Sequence, residues 1–337
     1  FEEFEDQNER YSGIFHNDFS NIDSFTGGDG DDLLEDLVNE LDSISLENIP
    51  PDMMGEAYMD LVKRFSDAEA GEYFTPPKIV KAMVELLEPF EKGARFHDPT
   101  AGSGGMLVEA AESIREQYKE EFDSREELEE FIDNEFEFTG QELNPTITGM
   151  ARMNLILHGL QNGDLRRGNS LTSPRFTENG ELDKFDYILA NFPFSQSGWK
   201  SGTEDRQDTY GDMNWVENGK LPHGNYGDFA FIMHMESQLE DDGELATVIP
   251  HGVLFRNGDQ KYRKYMIEQD IVEAVIGLPE NLFEATGIPS GILVLNKDKP
   301  EDREGKVMFL NADKEDEFYN DTGSNRSELT EDGINRM

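Results

Sequence analysis

Arg95-Phe96-His97-Asp98-Pro99-Thr100-Ala101-Gly102-Ser103-Gly104-Gly105 is the stretch whose reading decides the fold. Arg95–His97 reads as a short strand, the glycines break it, and a helical pattern over Gly105–Gln117 follows. Strand, glycine turn and helix in that order offer a ligand unpaired backbone amides. Glycine lets the chain come close, and the first N–H groups of a helix have no partner within it. The turn is not a P-loop, because no Gly-Lys-Ser/Thr follows, and it lacks the three-glycine spacing of the dinucleotide fingerprint. A cofactor without a pyrophosphate, presenting a carboxylate and a ribose, fits it better. An ordinary tight strand-to-helix turn would look the same, so the stretch alone leaves both readings open.

Working outward, short apolar runs alternate with helical periods. Strands are expected at Arg95–His97, Glu137–Gly140, Phe185–Ala190, Glu244–Ile249, Ile271–Ile276 and Gly291–Leu295. Helices are expected at Lys78–Leu87, Gly105–Gln117, Thr146–His158, Asp228–Leu239 and Asp259–Gln269. That alternation predicts an α/β fold with a doubly wound, mostly parallel sheet, its ligands beyond the carboxyl ends of the strands. Residues 1–70 read as an acidic, partly disordered region with a helical period at Met53–Phe65. The main domain is expected over 71–311, and 312–337 reads as a polar tail, the start of a truncated segment. The polar stretch Ser195–Gly227, with Trp199 and Trp215, is long enough inside a compact domain to suggest a functional loop.

The 337 residues carry 73 acidic and 29 basic side chains, a net charge of −44. Such a surface opposes a polyanion, unless it is an adaptation to molar salt, where the Debye length falls to about 3 Å. The acids are spread along the chain rather than gathered in a tail, which favours the salt reading and leaves a nucleic-acid substrate open. No cysteine is present, which removes disulfides, thiolate zinc sites and a thiolate nucleophile of the cytosine-C5 type. No metal spacing is seen. No apolar run approaches the ~20 residues of a membrane span, and the cytoplasm is the expected location.

Two further turns carry chemistry. Glu142, in Gln141-Glu142-Leu143-Asn144, ends the second expected strand, where an acid can accept from ribose hydroxyls. Taken alone it is as easily one more solvated carboxylate. Asn191-Phe192-Pro193-Phe194 follows the strand Phe185–Ala190. An adenine amine is a poor nucleophile because its lone pair is delocalised into the ring. Acceptors on both of its hydrogens let the nitrogen pyramidalise, and the Asn191 side chain with the Phe192 main-chain carbonyl could supply them. Phe194 would stack on an extruded base, worth about 1–3 kcal/mol and offsetting the cost of flipping. In isolation the four residues equally suit a proline-bearing turn whose phenylalanines pack into the core.

In this order and at these strand ends, the three turns together resemble the modification subunit of type I restriction enzymes, within the amino-methyltransferase superfamily. The likeness runs over Gly71–Pro76, Asp98–Gly105, Gly140–Asn144, Gly168–Leu171, Asp186–Phe194, Asn225–Phe231 and Gly243–Lys297, roughly Met53 to Asn311. It implies a Rossmann-like class I methyltransferase domain that uses S-adenosylmethionine to methylate adenine N6 in DNA. It further implies cofactor contacts by Tyr73, Thr75, Asp98, Thr100, Gly102, Ser103, Gly104, Glu142 and Asn169, with Asn191, Phe192, Pro193 and Phe194 at the target base. Implied partners are DNA, a separate specificity subunit that reads the sequence, and a second copy of the chain; whether a restriction subunit joins is left open. Two residues depart from the family pattern. Asn169 stands where an acid usually contacts the cofactor adenine, and Phe192 stands where a first proline is common.

Other residues invite blander readings. His97 is expected to be a strand residue packed against the sheet, and Met150 and Met153 to be helix core. The small basic clusters, Arg166-Arg167, Arg256 and Lys261–Lys264, read first as surface ion-pair partners, and Arg256–Lys264 is the preferred place for any DNA contact on this chain. Rival functions are a cofactor-binding assembly subunit that no longer catalyses, and an amino-methyltransferase acting on RNA or on a protein glutamine.

Overall fold

The computed structural model describes residues 75–199, 226–283, 288–314, 317–323 and 326–337. The expected helix Met53–Phe65, the region 1–70, Tyr73 and Trp215 lie outside these. The described chain opens with α1 (Pro77–Glu85), whose proline sits in the first turn, where a missing N–H costs nothing. Then come β1 (Arg95–Asp98), α2 (Gly105–Tyr118), α3 (Arg125–Glu135), β2 (Glu137–Glu142), α4 (Pro145–Leu157) and β3 (Asp164–Arg167). A small hairpin, β4 (Thr177–Glu178) with β5 (Glu181–Leu182), precedes β6 (Phe185–Ala190). The second half holds α5 (Asp228–Ser237), β7 (Leu239–Pro250), α6 (Gly252–Phe255), α7 (Gln260–Glu268), β8 (Val272–Gly277), β9 (Ser290–Asn296) and β10 (Met308–Asn311). It ends in the hairpin β11 (Tyr319–Gly323) with β12 (Arg326–Leu329), and α8 (Glu331–Ile334).

Eight strands form one sheet in the order β10-β8-β9-β7-β6-β1-β2-β3. All neighbouring pairs are parallel except those made by β9, which runs antiparallel to both β7 and β8. From β1 the chain moves outward through β2 to β3, then returns to place β6 on the other side of β1. The direction of winding therefore reverses between β1 and β6, and a crevice at such a point is where doubly wound sheets bind ligands. Successive strand residues feed opposite cores, as the two-residue period requires. Ile188 and Leu245 join Phe229, Phe231 and Tyr262 on one face, while Leu189 and Ala246 join Phe96, Leu107 and Ile114 on the other.

The doubly wound sheet is as expected, and so are the six strands, with shifted ends; β7 extends back to Leu239. Two strands go beyond the expectation. β3 has one buried side chain, Leu165, and β10 has none, because both are sheet edges that need no apolar run. The acid-rich α3 buries only Leu128 and Ile132, a stripe too thin to stand out from a charged surface. The segment 312–337 departs from the reading as a polar tail. Its hairpin and α8 pack on α1, burying Phe318, Leu329 and Ile334 in the core that holds Phe96, Leu107 and Ile114, while Lys78 and Lys81 pair with Glu328 and Glu331. Phe318, Leu329 and Ile334 are too unevenly spaced to give a periodic signal, yet they close that face.

Candidate active site

Four segments expected to carry function leave the carboxyl ends of β6, β1, β2 and β3, which are consecutive in the sheet. The Gly-rich loop after β1 is shaped by bonds to its neighbours. Asp98, 1 % exposed, accepts from Thr100 N at 2.9 Å. Ala101 N donates to Gln141 O at 3.0 Å, and Gly104 N to Ala101 O at 2.7 Å. Gly102 and Gly104 have φ of 51° and 80°, the left-handed region that a side chain resists. A Cβ on Gly102 would meet nothing nearer than Thr100 O at 4.0 Å, so it would project into open space in front of the loop. Behind the loop, Asn154 Nδ2 donates to Ser103 O at 2.9 Å.

Glu142 closes this cradle from β2. One carboxylate oxygen takes Gly102 N at 3.0 Å and the other takes Asn144 N at 2.8 Å. Burial, with the Glu142 charge as a smaller contribution, pushes the Asp98 carboxyl up to about 7. Beyond β3, Asn169 Oδ1 accepts from both Leu171 N and Thr172 N at 3.0 Å. That double cap occupies the amide oxygen and leaves Nδ2, a donor, as the side chain's other polar group. A cleft of about 210 Å³ lies among Thr100, Glu142, Asn169, Pro193 and Trp199. Polar groups on two strand ends, an apolar wall and a glycine cradle suit a nucleoside carrying an amino acid, which S-adenosylmethionine is.

The turn after β6 has distant supports. Thr247 Oγ1 donates to Ala190 O at 3.0 Å, immediately before the turn. Asn191 Nδ2 donates to Thr75 Oγ1 at 2.8 Å, an orientation that leaves the Asn191 carbonyl oxygen as the acceptor on the other side. Phe192, 1 % exposed, stacks on Phe231 at 5.3 Å and 10°, and meets Phe194 edge-on at 6.0 Å. Phe194 is only partly buried, and Pro193 is exposed at the cleft.

The model of the N-6 DNA Methylase family matches residues 50–337. The chain belongs to this family. It is 32% identical over 301 residues to the type I restriction enzyme MjaVII methylase subunit of Methanocaldococcus jannaschii, covering 88% of this chain and 48% of that protein. It is 33% identical to the HindI methylase subunit of Haemophilus influenzae, over 77% of this chain and 54% of that one. Among solved structures, the methyltransferase subunit of a Streptococcus thermophilus type I restriction-modification system superposes with a TM-score of 0.76. The identity is 30%, over 98% of this chain and 66% of that one. A putative class I S-adenosylmethionine-dependent methyltransferase of Listeria monocytogenes shares the fold, with a TM-score of 0.58 at 17% identity. The chain thus spans about half the length of the curated relatives it matches.

Within this N-6 DNA methylase chain, the residues singled out by sequence converge on one edge of the sheet, Tyr73 excepted because it lies outside the described residues. Thr75 was assigned to the cofactor by resemblance, and it is bonded to Asn191. Trp199, 6 % exposed, packs in the core that holds Ile188, Phe229 and Phe231, so it pins its segment to the body. His97 is buried against Phe185 at 4.2 Å, as expected of a strand residue. The basic cluster is mostly engaged elsewhere. Arg256 pairs with buried Asp228, Arg263 donates to Val253 O at 2.9 Å, and Lys264 pairs with Glu268 at 3.4 Å. Asp228 and Phe231 lie in the family-like run Asn225–Phe231, but residue type assigned neither a role, because the buried helix Asp228–Ser237 reads as core.

Proposed function

We propose that the protein transfers a methyl group from S-adenosylmethionine to the N6 amine of an adenine extruded from DNA, as the modification subunit of a type I restriction-modification complex. The observation that carries this reading is the adjacency of β6, β1, β2 and β3, which brings the Asn191 turn, the Gly-rich loop, Glu142 and Asn169 to one edge. S-adenosylmethionine supplies an electrophilic methyl group on a sulfonium. The protein's part is placement. Thr100, the Gly-rich loop and Glu142 hold the amino-acid and ribose portions, and Asn169 faces the purine through its amide. The Asn191 carbonyl and the Phe192 main-chain carbonyl accept the two amine hydrogens, turning the nitrogen lone pair toward the methyl group. Their dipoles also stabilise the positive charge that develops on nitrogen. Phe194 covers the face of the base. Proton loss follows transfer and needs no covalent enzyme intermediate.

DNA, a specificity subunit and a second copy of the chain complete the proposed assembly. The test is tritiated methyl transfer to DNA at high salt, with and without a candidate specificity subunit, followed by nucleoside analysis. Label in N6-methyladenine is the expected result. Label on cytosine, on RNA alone or on protein alone would overturn the assignment, and cofactor binding without any transfer would favour a non-catalytic assembly subunit.

A further inference from the structure

Asp228 is the first residue of α5 and is fully buried, and its two oxygens serve two different parts of the chain. Oδ1 accepts from Ser195 N at 2.6 Å. Oδ2 pairs with the Arg256 guanidinium, which also lies 3.6 Å from Asp259 and whose face is covered by the Tyr226 ring at 4.4 Å. Ser195 ends the turn that begins at Asn191, and its φ of 54° is a left-handed value that a non-glycine residue holds only when its surroundings fix it. One helical turn beyond Asp228, Phe231 lies flat against Phe192. The first turn of α5 therefore grips the base-holding turn on both sides of Phe194, through a hydrogen bond at Ser195 and a ring stack at Phe192. The same helix start lies close against the next segment of chain, since a Cβ on Gly227 would come within 3.3 Å of Gln196 O and 3.4 Å of Trp199 Cδ1.

We propose that Asp228, braced by Arg256, is a positioning residue for methyl transfer: it fixes the far end of the Asn191–Ser195 turn so that the Asn191 and Phe192 carbonyls stay aimed at the amine. This rests on the function proposed above. A buried ion pair contributes little net stability compared with apolar residues of similar volume, so stability alone gives no reason for it. Its distinguishing feature is that one oxygen leaves the pair to hold main chain in the reactive turn. Phe192 has no ring closure to fix its own φ, which makes an external hold the means of keeping its carbonyl in place. Arg256 acts through Asp228, turning the carboxylate so that Oδ1 reaches the Ser195 amide.

The experiment compares two double variants in the full chain assembled with its specificity subunit. Asp228→Asn with Arg256→Gln keeps an acceptor for Ser195 N and a neutral hydrogen bond in place of the ion pair. Asp228→Leu with Arg256→Met removes the link and leaves an apolar contact of similar volume. The polar pair is expected to keep kcat within about threefold of the parent. The apolar pair is expected to lose tenfold or more in kcat, since misplacement by about 1 Å can cost about a hundredfold. Its melting temperature and S-adenosylmethionine Kd should stay near the parent's. Hydrogen exchange at the Ser195 amide should quicken only in the apolar pair. Should that pair fail to fold, Asp228→Glu keeps the charge but shifts the oxygen, and the same loss in kcat at unchanged cofactor Kd is expected. Parental kcat in the apolar pair, or in Asp228→Glu where that stands in, would overturn the proposal, as would equal losses in the polar and apolar pairs. A parent that transfers no methyl group to DNA is a failure of the proposed function, which this readout separates from a failure of the brace.

Discussion

The loop after β1 and the turn after β6 meet at one edge of the sheet, yet they are held by different means. The Gly-rich loop is closed mostly by its own residues and the adjoining strand β2, with Asp98 on Thr100, Ala101 on Gln141 and Gly102 on Glu142, and single bonds from Asn154 and Ser170 add to these. The Asn191 turn depends on Thr75, Phe231, Asp228 and Thr247, which lie 33 to 116 positions away at their contacts and come from separate helices and strands. A cradle for a cofactor needs many backbone donors at fixed spacing, which glycines and a helix start supply locally. A turn that must hold two acceptors against a flipped base needs support from outside, because four residues cannot brace themselves. Changes at the two places should therefore fail differently, one in binding and the other in turnover.

The sharpest way to break the two apart is Asn191→Ala. It deletes the side-chain acceptor while leaving the Gly-rich loop, Glu142 and Asn169 as they are. Methyl transfer is expected to fall by about a hundred- to a thousandfold, by analogy with removing one preorganised polar group from a reacting centre. Calorimetry with S-adenosylmethionine should give a Kd close to the parent's. Undiminished transfer would remove Asn191 from the chemistry. A large loss of cofactor affinity would mean that the two halves are not separable.

The same division explains what could be read from residues alone. Asp98–Gly105 and Glu142 were legible because their geometry is written in neighbouring residue types: an acid, glycines and a helix start, then an acid at the next strand end. For Asn191–Phe194, residue type suggested the chemistry now proposed, but not what holds the turn in place. Nothing near it in sequence indicates Thr75, Thr247 or Asp228 as supports. Arg256 was read as an ion-pair partner, but not of which acid, since Asp228 lies 28 residues back and is fully buried. The edge strands β3 and β10 escaped because strands half in solvent need no apolar run, and the core residues of 312–337 are too widely spaced to form a pattern. Asn169 was identified by resemblance, but the use of its oxygen as a local cap depends on the turn geometry, which residue type does not fix.

A pH titration tests the cofactor side at a smaller amplitude. Asp98 is raised to about 7 by burial, so the ligand-free protein increasingly holds this carboxyl protonated as the pH falls through that value. The charge that faces it is Glu142, which raises it further, and the Thr100 amide opposes both. A ligand bearing positive charge favours the ionised form, so binding must expel the proton at low pH. If Asp98 faces the bound cofactor as proposed, affinity for S-adenosylmethionine is expected to be full above about 7 and to fall below it, approaching tenfold per pH unit. Asp98→Asn keeps an acceptor for Thr100 N and should flatten the profile between pH 5 and 8, at roughly neutral-site affinity. An unchanged slope in that variant would place the titrating group elsewhere.

The smallest expected effect falls on the residue that joins the two halves. Thr75 stands with the cofactor contacts by resemblance and with the base turn by geometry, where its oxygen takes the Asn191 amine at 2.8 Å. Thr75→Val keeps the shape and removes that acceptor. The Asn191 amide then has no partner to set which of its ends is carbonyl, and a fraction of molecules would present a donor to the adenine amine. Losing one hydrogen bond of this kind costs about 1–1.5 kcal/mol, or close to tenfold. We expect that loss in kcat, with cofactor Kd changed by less than about twofold. A rise in Kd at constant kcat would return Thr75 to the cofactor side. Losses in both would make it the point through which cofactor binding and base orientation are coupled.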